Sequence, residues 1–231
     1  MSEMFSKNDK IGDIVTKFPG ASDIFYKYRI DFCCGGNRPL SAAIEEQNVD
    51  EQEVLEAVNN KYTEFKEKNS EFTDWAKESP SRLIDYIINK HHAYLREKLP
   101  QLGDYVLKIM KVHGQNHEEL FKVHKLFNHL RTELEGHLVK EEELVFPLIK
   151  EYEKTKDEKV RDKALKLIKE LEDEHTGAGD VIKELREVTD HYHIPADACR
   201  TFETAYNGLK EIETDLFQHI HLENNILFPN F

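Results

Sequence analysis

The sequence predicts an all-α fold, a four-helix bundle preceded by a small helical domain. Three observations predict it. Apolar residues recur at steps of three and four over long stretches, the signature of helices with one buried face. Turn-forming and solvated residues cut that pattern into four long segments after residue 79. A short pattern also occurs twice, 82 positions apart: His137-Leu-Val-Lys-Glu141 with Phe146-Pro147, and His219-Ile-His-Leu-Glu223 with Phe228-Pro229.

The elements follow in chain order. Residues 1–65 form the small domain, in which Ile11, Ile14, Val15 and Phe18 begin a short helical pattern that Pro19-Gly20 interrupts. Ile24, Phe25 and Tyr28 begin another before Phe32-Cys33-Cys34-Gly35-Gly36, and two amphipathic stretches follow near 39–47 and 50–66. A piece of this size buries a thin core, which predicts docking onto the bundle or onto a second subunit. Residues 66–78, polar apart from Phe72 and Trp75, read as a linker.

The bundle is expected over 79–231. Its first helix, 80–98, opens at Ser79-Pro80, an N-cap followed by proline at the first helical position, and carries Leu83, Ile84, Ile87, Ile88 and Leu95. Pro100 is expected to end it, leaving a loop that contains Gly103 and closes near His113-Gly114. The second helix, 115–150, has the stripe Phe127, Leu130, Leu134, Leu138, Val145 and Leu148. The charged run Glu151 to Asp162 separates it from the third, 159–188, with Ile168, Leu171, Ala178, Ile182 and Leu185. After the break at Thr189 to Pro195 the fourth, 196–227, carries Leu209, Ile212, Leu216, Ile220 and Ile226. Each Phe-Pro pair is expected to kink or end its helix.

A spacing of four places His137 with Glu141, and His219 with Glu223, about one turn apart on one helix face. In both copies that face is the apolar one. A carboxylate in a helical core costs several kcal/mol unless it is paired, neutralised or bound to a cation, and the chain repeats this costly choice. Two nitrogen-and-oxygen pairs therefore predict a two-metal centre among facing helices. His175 sits within the apolar stripe of the third helix and is a third contributor. On the first helix His91 and His92 compete for the inner edge, and phase alone does not choose between them. The 83 positions from His92 to His175 nearly match the 82 of the duplicated pattern, which favours His92.

Composition sets the outer limits. A net charge of −13 argues against nucleic acid or an anionic membrane as partner. No run of eighteen apolar residues exists, and the start MSEMFSKNDK lacks a signal-peptide apolar region, so a cytoplasmic protein is expected. Three cysteines, two of them adjacent, make no disulfide framework and agree with a reducing compartment. Cys199 reads as a small core residue at the start of the last helix.

The run Asp31-Phe-Cys-Cys-Gly-Gly36 ahead of a bundle, His92 followed by Arg96-Glu-Lys-Leu-Pro100, His137-Leu-Val-Lys-Glu141-Glu142, Glu174-His175 and His219 to Pro229 together resemble one family. It is the di-iron proteins for repair of iron centres, of the YtfE/ScdA type, whose bundle is hemerythrin-like. The resemblance covers nearly the whole chain. It implies two non-haem iron ions with an oxo or hydroxo bridge, and a role in restoring iron-sulfur clusters damaged by nitric oxide or peroxide. Damaged iron-sulfur proteins and nitric oxide or oxygen species are the partners it implies, and a homodimer the assembly.

Carried over by position, the family's ligands fall on His92, His113, His137, Glu141, His175, His219 and Glu223, with the two glutamates bridging. His113 rests on the resemblance alone, with His117 a competitor one turn on. Five imidazoles and two carboxylates suit iron, manganese or zinc. Cys33 and Cys34, on a turn shaped by two glycines, are the candidate reactive thiols, able to take iron or hold a damaged cluster. Three function classes follow: an iron repair protein, a hemerythrin-like oxygen or nitric oxide binder or sensor, and a two-zinc hydrolase. The hydrolase needs a spare general base, for which Glu142 and Glu174 are the candidates.

Overall fold

Among the described residues of the computed structural model every regular element is helical, and an isolated backbone bridge joins Lys10 to Pro39. The structure describes residues 4–68 and 73–231; Phe72 and the other residues of 69–72 in the expected linker lie outside the described residues. No helix of the described residues is long and apolar enough to cross a membrane. The chain divides into two compact units, one formed by residues up to Leu83 together with Phe217–Phe231, the other by Ile84–Leu216. In the first unit the tail of the chain groups with the leading segment.

In the first unit four short helices run in order: α1 (Ile11–Lys17), α2 (Ala21–Lys27), α3 (Leu40–Gln47) and α4 (Glu51–Glu67). The first three are short because a breaker follows at once: Pro19-Gly20 after α1, Arg29 in the left-handed region (φ 58°) after α2, and Asn48 (φ 50°) after α3. The Asp50 side chain caps α4 by accepting from the Glu53 N–H at 2.8 Å. Ile11, Ile14, Phe25, Leu40, Val54 and Val58 are buried, each at a spacing of three or four from another on its helix or closing the core from a neighbour. Asn59 pins the start of the described chain, accepting from Phe5 N at 2.8 Å and donating to Phe5 O at 3.0 Å.

The bundle helices begin with α5 (Pro80–Ile87) and continue through α6 (Ala93–His113), α7 (Glu119–Lys140), α8 (Phe146–Thr155), α9 (Glu158–Val188) and α10 (Arg200–Leu222). Within the second unit α7 packs against both α6 and α9, and α8 against α9. The fourth long helix is held by Gly208, which Leu102 approaches so closely that a β-carbon there would lie 2.9 Å from its methyl, and by the buried ion pair of Arg186 with Glu213. The sequence placed a loop where α6 runs on through Pro100 and Gly103 to His113. The stripe Leu95, Leu99, Leu102, Val106 and Ile109 continues unbroken and buried, and its burial outweighs the one backbone hydrogen bond that Pro100 forfeits.

Among the described residues three π-turns interrupt these helices, at Ile88–His92, Glu141–Val145 and Glu223–Leu227. In the latter two the N–H of the Phe in the Phe-Pro pair bonds the carbonyl five residues back, Phe146 to Glu141 and Phe228 to Glu223. The proline that follows has no N–H and its ring crowds the carbonyl four residues back, so the wider turn accommodates it. The first pair does not end its helix, which resumes as α8; the second does, in a turn after Phe228.

Candidate metal centre

The π-turns and the apolar stripes bring chemistry-bearing side chains to the interior of each unit. In the second unit His92, His137, Glu141 and His175 are all buried, with Glu141 at 0% exposure. His92 is the last residue of the first π-turn and Glu141 the first of the second, while His137 lies one turn before Glu141 on α7 and His175 midway along α9. The two carboxylate oxygens of Glu141 face different histidines: Oε2 lies 3.2 Å from His92 Nε2, and Oε1 lies 3.2 Å from His137 Nε2 and 3.9 Å from His175 Nε2. The Nε2 atoms of His137 and His175 are 3.0 Å apart.

Outer carboxylates decide which ring nitrogen keeps its proton. Glu142 Oε1 lies 2.6 Å from His92 Nδ1, and Glu174 Oε2 lies 2.8 Å from His137 Nδ1. Each anion holds the proton on Nδ1 and leaves the Nε2 lone pair aimed at Glu141. Burial pushes the Glu142 carboxyl up, but hydrogen bonds from Arg96 and His92 outweigh it and hold the group below its ordinary value. Glu174 behaves alike, its burial outweighed by Lys140 and His137. Both groups are committed to orienting imidazoles, so neither is the free base that a hydrolase would need.

Imidazole lone pairs and a carboxylate buried together are costly unless a cation or a shared proton lies among them. The donor set therefore fits a metal: borderline nitrogens and a hard carboxylate whose two oxygens diverge toward separate ligands. Within the first unit the second copy of the pattern repeats the theme, with His219 Nε2 3.2 Å from Glu223 Oε1 and both residues at 0% exposure. Glu223 opens the third π-turn just as Glu141 opens the second.

The remaining histidines separate cleanly. His91, the competitor of His92, turns to α10, its Nδ1 2.9 Å from Asp215 Oδ1. His221 is directed away from the ligand positions toward Thr16, Asn225 and the ring of Phe32, and burial pushes it down to about 4. His113 ends α6, which rises about 1.5 Å per residue, and so lies about 30 Å along the helix from His92. Its Nε2 is 3.2 Å from Cys199 Sγ, and its ring meets Phe202 edge-on. Cys199 is likewise exposed rather than buried, because it precedes the first turn of α10 and falls off the apolar stripe.

Cys33 and Cys34 lie in a turn folded around one carboxylate. Asp31 Oδ1 accepts from the N–H groups of Cys33 at 3.2 Å, Cys34 at 3.0 Å and Gly35 at 3.1 Å, and from the Cys33 thiol at 3.3 Å. The two sulfurs are 3.8 Å apart. Asp31, Cys33 and Cys34 each offer a ligand atom within 4.8 Å of the others. Burial pushes the Cys33 thiol well above its ordinary range, aided by Cys34 and Asp31, so it rests protonated.

Comparison with known proteins follows this geometry. Residues 83–231 match the family model described as the hemerythrin HHE cation binding domain, and residues 7–62 match a domain of unknown function, ScdA_N. The chain is 34% identical over 229 residues to the iron-sulfur cluster repair protein ScdA of Staphylococcus haemolyticus, covering 99% of this chain and 100% of that one. It is 34% identical over 226 residues to the iron-sulfur cluster repair protein YtfE of Enterobacter sp., covering 98% and 97%. A probable iron-sulfur cluster repair protein of Haemophilus influenzae is 34% identical over 220 residues, 95% of each chain.

Proposed function

The chain belongs to the family of iron-sulfur cluster repair proteins of the ScdA and YtfE type, and from that membership we propose that it is a di-iron protein that repairs iron-sulfur clusters damaged by nitrosative or oxidative stress. The observation that carries the di-iron part is Glu141, whose two oxygens address His92 and His137 separately, as a carboxylate does when it spans two cations. We assign His92, His137, Glu141, His175, His219 and Glu223 as the residues that would hold the iron. One cation-binding family model spans all six, and each belongs to a buried His and Glu set.

Iron held there would supply redox chemistry toward nitric oxide or oxygen species and a store of exchangeable metal. The chain's own residues do the rest. Glu142 and Glu174 keep the Nδ1 protons in place and so present the Nε2 lone pairs inward. Neutral imidazoles must stay unprotonated to ligate, which makes the site release its metal in acid. Cys33 and Cys34, with Asp31 beside them, are thiol and carboxylate ligands suited to receive iron as cargo or to touch a damaged cluster. A cytoplasmic homodimer acting on damaged iron-sulfur proteins completes the proposal.

Anaerobic loading with ferrous iron, followed by incubation with a nitric-oxide-damaged [4Fe–4S] dehydratase, tests it. The loaded chain should restore dehydratase activity, and chelator-stripped chain should not. Equal recovery with stripped chain would remove the metal from the function. Undiminished recovery with Cys33→Ser/Cys34→Ser would remove the thiols.

A further inference from the structure

In the first unit one side chain joins three backbone segments. Asn225, two residues after Glu223 and inside its π-turn, donates from Nδ2 to the carbonyls of Phe32 at 3.3 Å and Cys33 at 2.9 Å. It sits in a socket made of glycine. A β-carbon on Gly12 would lie 2.5 Å from Asn225 Oδ1, with the three nearest atoms all belonging to that side chain, and one on Gly36 would overlap the same oxygen. The socket walls are themselves tied, Gly12 N to Gly36 O at 2.8 Å. Two positions without side chains, far apart in sequence, thus clear the space for one amide.

We propose that Asn225 is a positioning residue, a latch that fastens the Cys33–Cys34 turn to the turn bearing Glu223 and holds the buried Cys33 thiol closed. The proposal rests on the assignment of that turn and those thiols to the repair function. Residues 223 and 225 point to different sides of one turn, so a single short segment carries a ligand on one side and the dithiol's restraint on the other. Any shift of the π-turn moves both. With the latch seated, Cys33 is buried and its thiol donates to Asp31. Opening the turn requires breaking the two Asn225 bonds, which sets how often the Cys33 thiol is exposed.

The test follows alkylation of the peptide containing Cys33 and Cys34 by mass spectrometry, on the full chain without added metal, with Cys199 as internal reference. Asn225→Asp keeps the shape of the side chain but replaces both N–H donors by oxygen, which repels the two carbonyls. It should speed dithiol alkylation about tenfold and leave Cys199 unchanged. Gly12→Ala, which displaces the amide without touching backbone, should do the same. The double variant Gly12→Ala/Asn225→Ala separates latch from filler: it refills the socket and should recover thermal stability while the dithiol stays fast. Native alkylation rates in Asn225→Asp, or full recovery of slow alkylation in the double variant, would overturn the latch. Ferrous binding by native chain is measured in parallel. Its absence would sink the metal assignment while the alkylation comparison still judges Asn225.

Discussion

Glu174 lies 2.8 Å from Nδ1 of His137 while the same carboxylate receives the ammonium of Lys140, so an imidazole on α7 is oriented from α9 by a charge that α7 itself neutralises. Removing such an outer carboxylate leaves the ligand in place but lets its ring rotate and its tautomer change. Glu174→Gln and Glu142→Gln should each weaken metal affinity about 10–100-fold, measured by competition with a coloured chelator. Circular dichroism should not change. Affinity equal to the native chain's would show that the rings are held by packing alone.

The same two carboxyls make a statement about acid stability. Both lie below their ordinary value of 4.5 in the folded chain, so they bind protons more readily once it unfolds. Their stabilising contribution is therefore whole above about pH 4.5 and is lost as pH falls through the lower folded value. Metal-free chain should lose thermal stability as pH falls below that point, and the Glu142→Gln/Glu174→Gln chain should lose less over the same interval. Parallel melting-temperature curves for the two chains would contradict it.

Metal content separates the proposed inner ligands from the residue that resemblance alone suggested. Glu141→Ala should abolish stoichiometric iron, because both of its oxygens face different imidazoles, whereas His113→Ala, at the far end of α6, should retain the native amount. Elemental analysis after ferrous loading decides it. Loss of iron in His113→Ala would return that histidine to the ligand set.

The buried faces were legible because helical spacing alone places Leu134, Leu138, His137 and Glu141 on one side of a cylinder, and packing had only to accept that arrangement. Helical phase left His91 and His92 open, since adjacent residues differ by about 100° and the partner that draws His91 away, Asp215, lies on another helix; only the spacing of the duplicated pattern favoured His92. The π-turns escaped for a related reason. Their local signal, Glu with Phe-Pro five positions on, is indistinguishable from a helix end until the chain beyond Pro147 is seen to continue. Pro100 misled in the opposite direction, because a local penalty was weighed without the apolar stripe that continues to Ile109. Asn225 carried no signal at all in periodicity; only the glycines at 12 and 36, read together with it, reveal the socket.

Arg186 on α9 and Glu213 on α10 form an ion pair with side-chain exposures of 12% and 1%. A charge left buried without its partner is costly, so Arg186→Ala or Glu213→Ala should each cost about 3–5 kcal/mol in chemical denaturation. The pair replaced by Met and Leu should fall well short of the sum of the two single losses. Additive losses would mean that the two side chains act independently.

Cys199 gives the last prediction. It precedes α10, and its thiol is pulled down to about 7, first by the hydrogen bond with His113 and then by the N–H groups of Phe202 and Thr201 at the helix start, with burial opposing weakly. Its ordinary value is 9.0. The thiolate is the reacting form, so alkylation of Cys199 should rise with pH through a midpoint near 7 and level off above it. His113→Ala removes the largest contribution and should move the midpoint upward, toward the ordinary thiol range, with the plateau rate little altered. The pH–rate profile of the Cys199 peptide, read by mass spectrometry in both chains, measures this. A native midpoint at the ordinary value of 9.0 would refute the pairing of the two residues in solution.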